Sequence, residues 1–386
     1  MKRRDFLRTL GAAGVTAVVP FPALAQRAGA GYERLLVLVE LKGGNDGLNT
    51  VVPYADPVYY GLRPALAIPR DQVLQLDERA GLHPALEPFM AAWKNRELAV
   101  VQGVGYPSAN LSHFRSIEIW ETASRSNEYL SDGWLARAFA ATPTPRAFAA
   151  DAVLVGGADL GPFAGAGTRA IALTDTEQFL RQARFAAPAG QARNAALSHV
   201  LRVEQDIVQA AAGLNGNYAF NVEFPRTAFG NAVRTASQVI ASKAGVAAVK
   251  LSLGGFDTHR GQLPAHARLL AMLSEGLMAL RSALIELGRW DSTLVMTYAE
   301  FGRRPRENVS AGTDHGTANS HFVMGGRVKG GIYGPAPSLS ALDGNGNLPF
   351  AVDFRDLYAT ALERWWGVDA SRALKGRYAG LDIVRA

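Results

Sequence analysis

Residues 34–49 read Arg34-Leu-Leu-Val-Leu-Val-Glu-Leu-Lys-Gly-Gly-Asn-Asp-Gly-Leu-Asn49. The opening part is a short apolar run, of strand length, that two glycines bring to an end. Such a run reads as a strand buried on both faces, as in a parallel sheet. The turn that follows is polar and carries an acid, Asp46. Similar runs recur at Glu97–Gly103, Ala152–Val155, Val246–Leu253 and Ser292–Tyr298. Between them lie helical patterns. Leu269, Leu270, Leu273, Leu277, Leu280, Leu284 and Leu287 recur at helical spacing and mark an amphipathic helix over 263–287. Residues 195–212 and 227–242 read as two more helices, and 161–191 and the Gly-rich 325–347 as loops. Strands alternating with helices predict an α/β fold with a mostly parallel central sheet flanked by helices.

The chain begins Met1-Lys2-Arg3-Arg4-Asp5-Phe6-Leu7-Arg8. An adjacent arginine pair, one spacer and Phe-Leu match the twin-arginine export signal. A weakly apolar stretch from Leu10 to Pro20 and the small-residue site Ala23-Leu24-Ala25 complete a signal peptide over 1–25, leaving 26–386 as the mature chain. The expected location is therefore the periplasm or the medium. Removing 1–25 takes away four basic residues and one acid, so the mature chain keeps 36 basic and 33 acidic residues. That balance argues against a nucleic-acid partner. No later segment has the roughly 18 apolar residues of a membrane span. With no cysteine in the chain, a metal site must use His, Asp or Glu, and a cysteine nucleophile is excluded.

In open α/β sheets the carboxyl ends of the strands carry the site. Four polar clusters follow predicted strands. They are Gly43–Asn49, Asn110–Arg115, Gly254–His259, and a fourth that runs from Glu300-Phe-Gly-Arg303 through Thr313-Asp-His-Gly316 to Ser320-His-Phe322. Five of the seven histidines lie in or beside them: His113, His259, His266, His315 and His321. Carboxylates and imidazoles together suit a divalent metal, zinc first, with calcium, magnesium or manganese as alternatives. His266 opens a helix on its apolar side and fits equally a buried structural histidine. Ser112 precedes a helical pattern that starts near His113. It reads either as an N-cap or as a nucleophile at a helix N-terminus beside a metal. Arg115 is placed to pair with phosphate or sulfate oxygens, and His113 to serve as a ligand or an acid.

Taken in order, the Gly-Gly-Asn-Asp-Gly-Leu-Asn, Ser-His-Phe-Arg-Ser, Gly-Gly-Phe-Asp-Thr-His, Glu-Phe-Gly-Arg and Thr-Asp-His-Gly segments resemble the family known as domain of unknown function 1501. That family looks like a remote branch of the alkaline phosphatase and sulfatase superfamily. The resemblance implies a single alkaline-phosphatase-like three-layer domain over 26–386, one or two divalent metals and an ester substrate, either a small molecule or an envelope component. It also implies residue roles. Asp46 and Asp314 would hold one metal. Asp257, His259, His315 and His321 would hold the other, with His266 as the alternative to His259. Ser112 would be the nucleophile. The function expected is a periplasmic metal-dependent hydrolase of phosphate or sulfate esters. The alternative is a secreted, non-catalytic metal-binding or envelope-assembly protein that keeps the fold. No particular protein partner is indicated.

Overall fold

The computed structural model describes residues 31–173, 218–242 and 244–385. The expected signal peptide and the helix expected over 195–212 lie outside the described residues.

The run that opened the reading is β1 (Leu35–Lys42), and it lies in the middle of the main sheet. Three short strands follow: β2 (Val51–Val52), β3 (Leu74–Gln75) and β4 (Gly81–Leu82). They form a small sheet of their own beside the larger one. The other strands are β5 (Leu98–Gly105), β6 (Ala150–Val155), β7 (Ala170–Leu173), β8 (Val246–Gly254), β9 (Thr293–Tyr298), β10 (Asn319–Met324), β11 (Gly331–Tyr333) and β12 (Val352–Asp353). The main sheet runs β11-β5-β10-β9-β1-β8-β6-β7, and β12 also pairs with β5. β1 is parallel to both neighbours, with Val39 opposite Leu251 on β8 and Thr297 on β9. Among the described strands of the main sheet, only β10 runs antiparallel, wedged between β9 and β5.

The helices that matter here are α1 (Gly47–Thr50), α2 (His113–Thr122), α3 (Trp134–Ala141), α4 (Ala228–Ala241), α5 (Gln262–Glu286) and α6 (Phe354–Ala359). Alternation along β1 assigns its two faces. Val37 and Val39 face one core, where Leu270, Leu273, Leu277, Leu280 and Leu284 of α5 pack with Phe229 and Val233 of α4. Each leucine of that stripe is almost fully buried, a contribution of about 1.5–3 kcal/mol apiece. Leu36 and Leu38 face the opposite core, built from α2, α3 and α6. There Trp120 stacks on Phe354 and Trp134 on Tyr358, with ring centroids 4.3 and 4.2 Å apart. Helices cover both faces of a mostly parallel sheet, as expected.

All five predicted strands form, within a few residues of their expected ends. Two strands fall in stretches read as loops. β7 is only Ala-Ile-Ala-Leu, and β11 only Gly-Ile-Tyr. Runs that short and that small carry no usable period. Among the described residues no helix is long and apolar enough to cross a membrane.

A candidate metal centre at the carboxyl edge of the sheet

Three adjacent strands, β8, β1 and β9, end side by side, and each is followed by a turn that carries charged side chains. After β1, Gly43 and Gly44 take positive φ values of 112° and 74°. A Cβ on Gly43 would collide with the backbone nitrogen of Asp257, so only glycine lets the β1 and β8 turns approach this closely. The β8 turn carries Asp257 and His259. The β9 turn carries Glu300 and Arg303, and the chain returns along the same edge with Asp314 and His315. Opposite them α2 begins at His113.

Four of these side chains converge on Asp257. His259 Nε2 stands 2.9 Å and His315 Nε2 3.2 Å from Asp257 Oδ1, while His113 Nε2 stands 3.4 Å from Oδ2. Arg303 Nη2 donates to Oδ1 at 2.6 Å. Among the described residues, one donor atom each from His113, Asp257 and His315 lie within 4.8 Å of one another. The Asp257 side chain is 44% exposed, so the group opens to solvent.

The far side of each ring fixes which nitrogen faces inward. His315 Nδ1 lies 2.8 Å from the Leu111 carbonyl, which can only accept, so Nδ1 carries the hydrogen. His113 Nδ1 lies 2.8 Å from Glu300 Oε1, and His259 Nδ1 3.4 Å from Asp314 Oδ1. All three rings thus turn Nε2 toward Asp257. Burial is the largest influence on His315 and holds its pKa below the ordinary value, which keeps the ring neutral. Burial would raise the Asp257 carboxyl, but the hydrogen bond and charge of Arg303 hold it at about 2.

The result is a tight cluster of imidazole nitrogens and carboxylate oxygens. His259 Nε2 and His315 Nε2 are 3.0 Å apart, and both also face a carboxylate. Nitrogens and oxygens that meet this closely need a proton or a cation shared among them. Imidazole Nε2 atoms and a carboxylate, each ring held at Nδ1 by an oxygen, form a donor set that suits zinc or a similar metal. The residues present therefore fit a divalent cation.

The other expected site residues lie elsewhere. Asp46 caps α1, accepting from the N–H groups of Leu48 and Asn49, and is 1% exposed. Its carboxylate meets Arg63 in a two-pronged pair, Nη1 at 2.6 Å and Nη2 at 3.0 Å, and also accepts from Gln262. Burial would raise its pKa, but Arg63 brings it below the usual value. Asp46 and Asp314 therefore have separate partners: Asp314 is half exposed and bonds Asn308 and His259. His321 sits on β10, fully buried, with Trp120 edge-on at 5.4 Å and no partner for Nε2. Between His259 and His266 the structure places the former beside Asp257. His266 is buried, its Nε2 2.9 Å from Asn45 Oδ1.

Ser112 occupies the N-cap position of α2, but its hydroxyl makes no capping bond and the residue is exposed. Its backbone N–H donates to Asn110 Oδ1. Arg115 is turned toward the 125–129 loop. It donates to the carbonyls of Ser126 and Glu128, pairs with Glu118 at 2.8 Å, and lies 3.8 Å over the Tyr129 ring. Arg303, Arg63 and Gln262 hold the two acids and Glu300 holds His113, yet sequence reasoning gave none of them a role. For Glu300 and Arg303 a signal existed, since both stand in the cluster that follows β9.

A family model described as a protein of unknown function, DUF1501, matches residues 69–382. The chain belongs to the DUF1501 family. No curated protein matches this DUF1501 chain. Several solved structures resemble it at low identity. One is the lipoteichoic acid synthase of Listeria monocytogenes, at 9% identity and TM-score 0.42, covering 91% of this chain and 76% of that one. Another is an alkaline phosphatase superfamily protein from Vibrio parahaemolyticus, at 11% identity and TM-score 0.38, covering 89% of this chain and 68% of that one. A third is a sulfatase from Pseudoalteromonas sp., at 11% identity and TM-score 0.38, covering 90% and 70%.

Proposed function

We propose that this DUF1501 protein is a divalent-metal-dependent hydrolase of phosphate or sulfate esters that works in the periplasm after twin-arginine export. One observation carries the catalytic part: the Nε2 atoms of His113, His259 and His315 all turn toward the Asp257 carboxylate, each ring held from behind by an oxygen. His113, Asp257 and His315, whose donor atoms lie within 4.8 Å of one another, would hold the cation, with His259 beside them. The carboxylate once expected to hold a further metal, Asp46, is already neutralised by Arg63, which favours a single ion.

When bound, a divalent cation supplies Lewis acidity to ester oxygens and favours the ionised form of a nearby hydroxyl. The chain's own residues do the rest. Ser112, exposed at the N-terminus of α2 and next in sequence to His113, presents a hydroxyl that its helix does not use. Its Oγ attacks phosphorus or sulfur as the bond to the leaving oxygen breaks in line, and water then hydrolyses the seryl ester. The first turn of α2 offers N–H groups and a positive dipole end to the anionic group. Arg303 keeps Asp257 ionised and in place from below. Arg115, tied to the 125–129 loop, shapes the rim.

The test combines metal analysis of purified protein with a screen of phosphate monoesters, phosphate diesters and sulfate esters. Bound metal with turnover that vanishes in His315→Ala supports the reading. Stoichiometric metal without any turnover would instead point to the non-catalytic, envelope-assembly alternative. For export, the support is the Arg3-Arg4 signal read in the sequence. Replacing both by Lys should hold the precursor in the cytoplasm, and unchanged export would reject the pathway.

A further inference from the structure

Glu300 belongs to no expected ligand set, yet it is buried at 4% exposure beside the open cluster. Its Oε1 accepts from two donors at once: the Gly43 N–H at 2.8 Å and His113 Nδ1 at 2.8 Å. Its backbone carbonyl accepts from the Ser116 hydroxyl, one turn further along α2. A single residue at the end of β9 therefore grips the β1 turn and two points of α2. We propose that Glu300 is a positioning residue: it locks His113 in the Nδ1–H form and so aims the Nε2 lone pair at Asp257. The inference rests on the metal reading above for its purpose, but its geometry is independent of it.

The physical case is simple. An isolated imidazole exchanges its hydrogen between two nitrogens, and only one form leaves Nε2 free as a donor to a metal. A carboxylate behind Nδ1 selects that form and orients the ring, and loss of such a partner typically costs 10–100-fold in metal affinity. Phe301 helps by packing against the His113 ring, with centroids 4.9 Å apart. It cannot choose the tautomer, because it offers no acceptor.

The experiment uses the intact protein, zinc and two variants, Glu300→Ala and Glu300→Gln. Histidine ¹⁵N spectra of the metal-free protein read the His113 tautomer directly. Wild type should carry the hydrogen on Nδ1, and Glu300→Ala should move it toward Nε2. Zinc affinity by chelator competition should fall 10–100-fold in Glu300→Ala. Glu300→Gln keeps an acceptor oxygen and guards against a folding failure. It should retain the wild-type tautomer and lose less affinity. A His113 ring that stays in its wild-type tautomer in folded Glu300→Ala overturns the assignment. If wild type binds no zinc, the metal reading fails, while the ¹⁵N spectra still decide the role of Glu300.

Discussion

Asp46 and Asp257 stand after neighbouring parallel strands, β1 and β8, in turns that both start with paired glycines, and they have opposite surroundings. Asp46 is sealed in, with Arg63 clasping both oxygens and the α1 amides filling the rest. Asp257 is open to solvent, and one arginine shares it with three imidazoles whose Nε2 atoms face it. In one case a guanidinium occupies both oxygens of the acid. In the other a guanidinium meets one oxygen only, and the second faces the His113 ring. A strand-end acid by its position alone is thus no metal ligand: both acids meet an arginine, and what distinguishes them is that Arg63 takes both oxygens of a buried Asp46, whereas Arg303 takes one oxygen of an exposed Asp257.

The contrast breaks first at Arg63. Arg63→Ala leaves the Asp46 charge buried and unpaired, which should cost about 3–5 kcal/mol in urea unfolding. Asp257→Asn should leave the unfolding midpoint close to wild type. A mild Arg63→Ala would mean that the two acids are more alike than they look. Next comes the open oxygen of Asp257. Zinc at about one hundred times its dissociation constant should stabilise wild type by about 2.7 kcal/mol and Asp257→Asn hardly at all. Equal thermal shifts in both proteins would place the zinc elsewhere.

A third expected effect lies near Asp46, where His83 and His266 pack edge to face. Burial lowers their pKa values, to about 4 and about 3 respectively. Unfolded, both rings take up a proton near 6.5, whereas the native rings stay neutral until far lower pH. Stability should therefore fall as pH drops from about 6.5 toward 4, by up to about 1.4 kcal/mol per pH unit for each ring. His266→Gln should flatten that slope, and an unchanged slope would acquit this histidine pair. The smallest effect on stability belongs to Ser112. Because its hydroxyl caps nothing, Ser112→Ala should shift unfolding by less than about 0.5 kcal/mol, while ester turnover falls by orders of magnitude. A Ser112→Ala protein that still hydrolyses the ester removes Ser112 as nucleophile.

Much of the sheet was legible because parallel strands must be apolar on both faces, and the β1, β8 and β9 runs say so without ambiguity. The polar turns after those strands were legible for the same reason: a buried strand has to end in groups that tolerate water. Partnership was not legible. Arg63 lies 17 residues beyond Asp46, past a short helix, and no periodicity links them. His321 sits in Asn-Ser-His-Phe-Val-Met, where both alternating faces carry polar and apolar residues alike. Only the pairing of β10 with β5 and β9 decides that this ring points at Trp120. Gln262 and Glu300 are ordinary polar residues until three turns are folded together.

The antiparallel strand also dictates an order of assembly. On a growing chain β5 emerges early, but its partners β10, β11 and β12 all lie beyond residue 318. Until then the edge of β5 stays unpaired, and α2, which carries His113 just after it, has no fixed place beside Asp257. Pairings so distant along the chain form slowly and leave sticky edges exposed meanwhile. The centre can therefore come together only once nearly the whole polypeptide has left the ribosome.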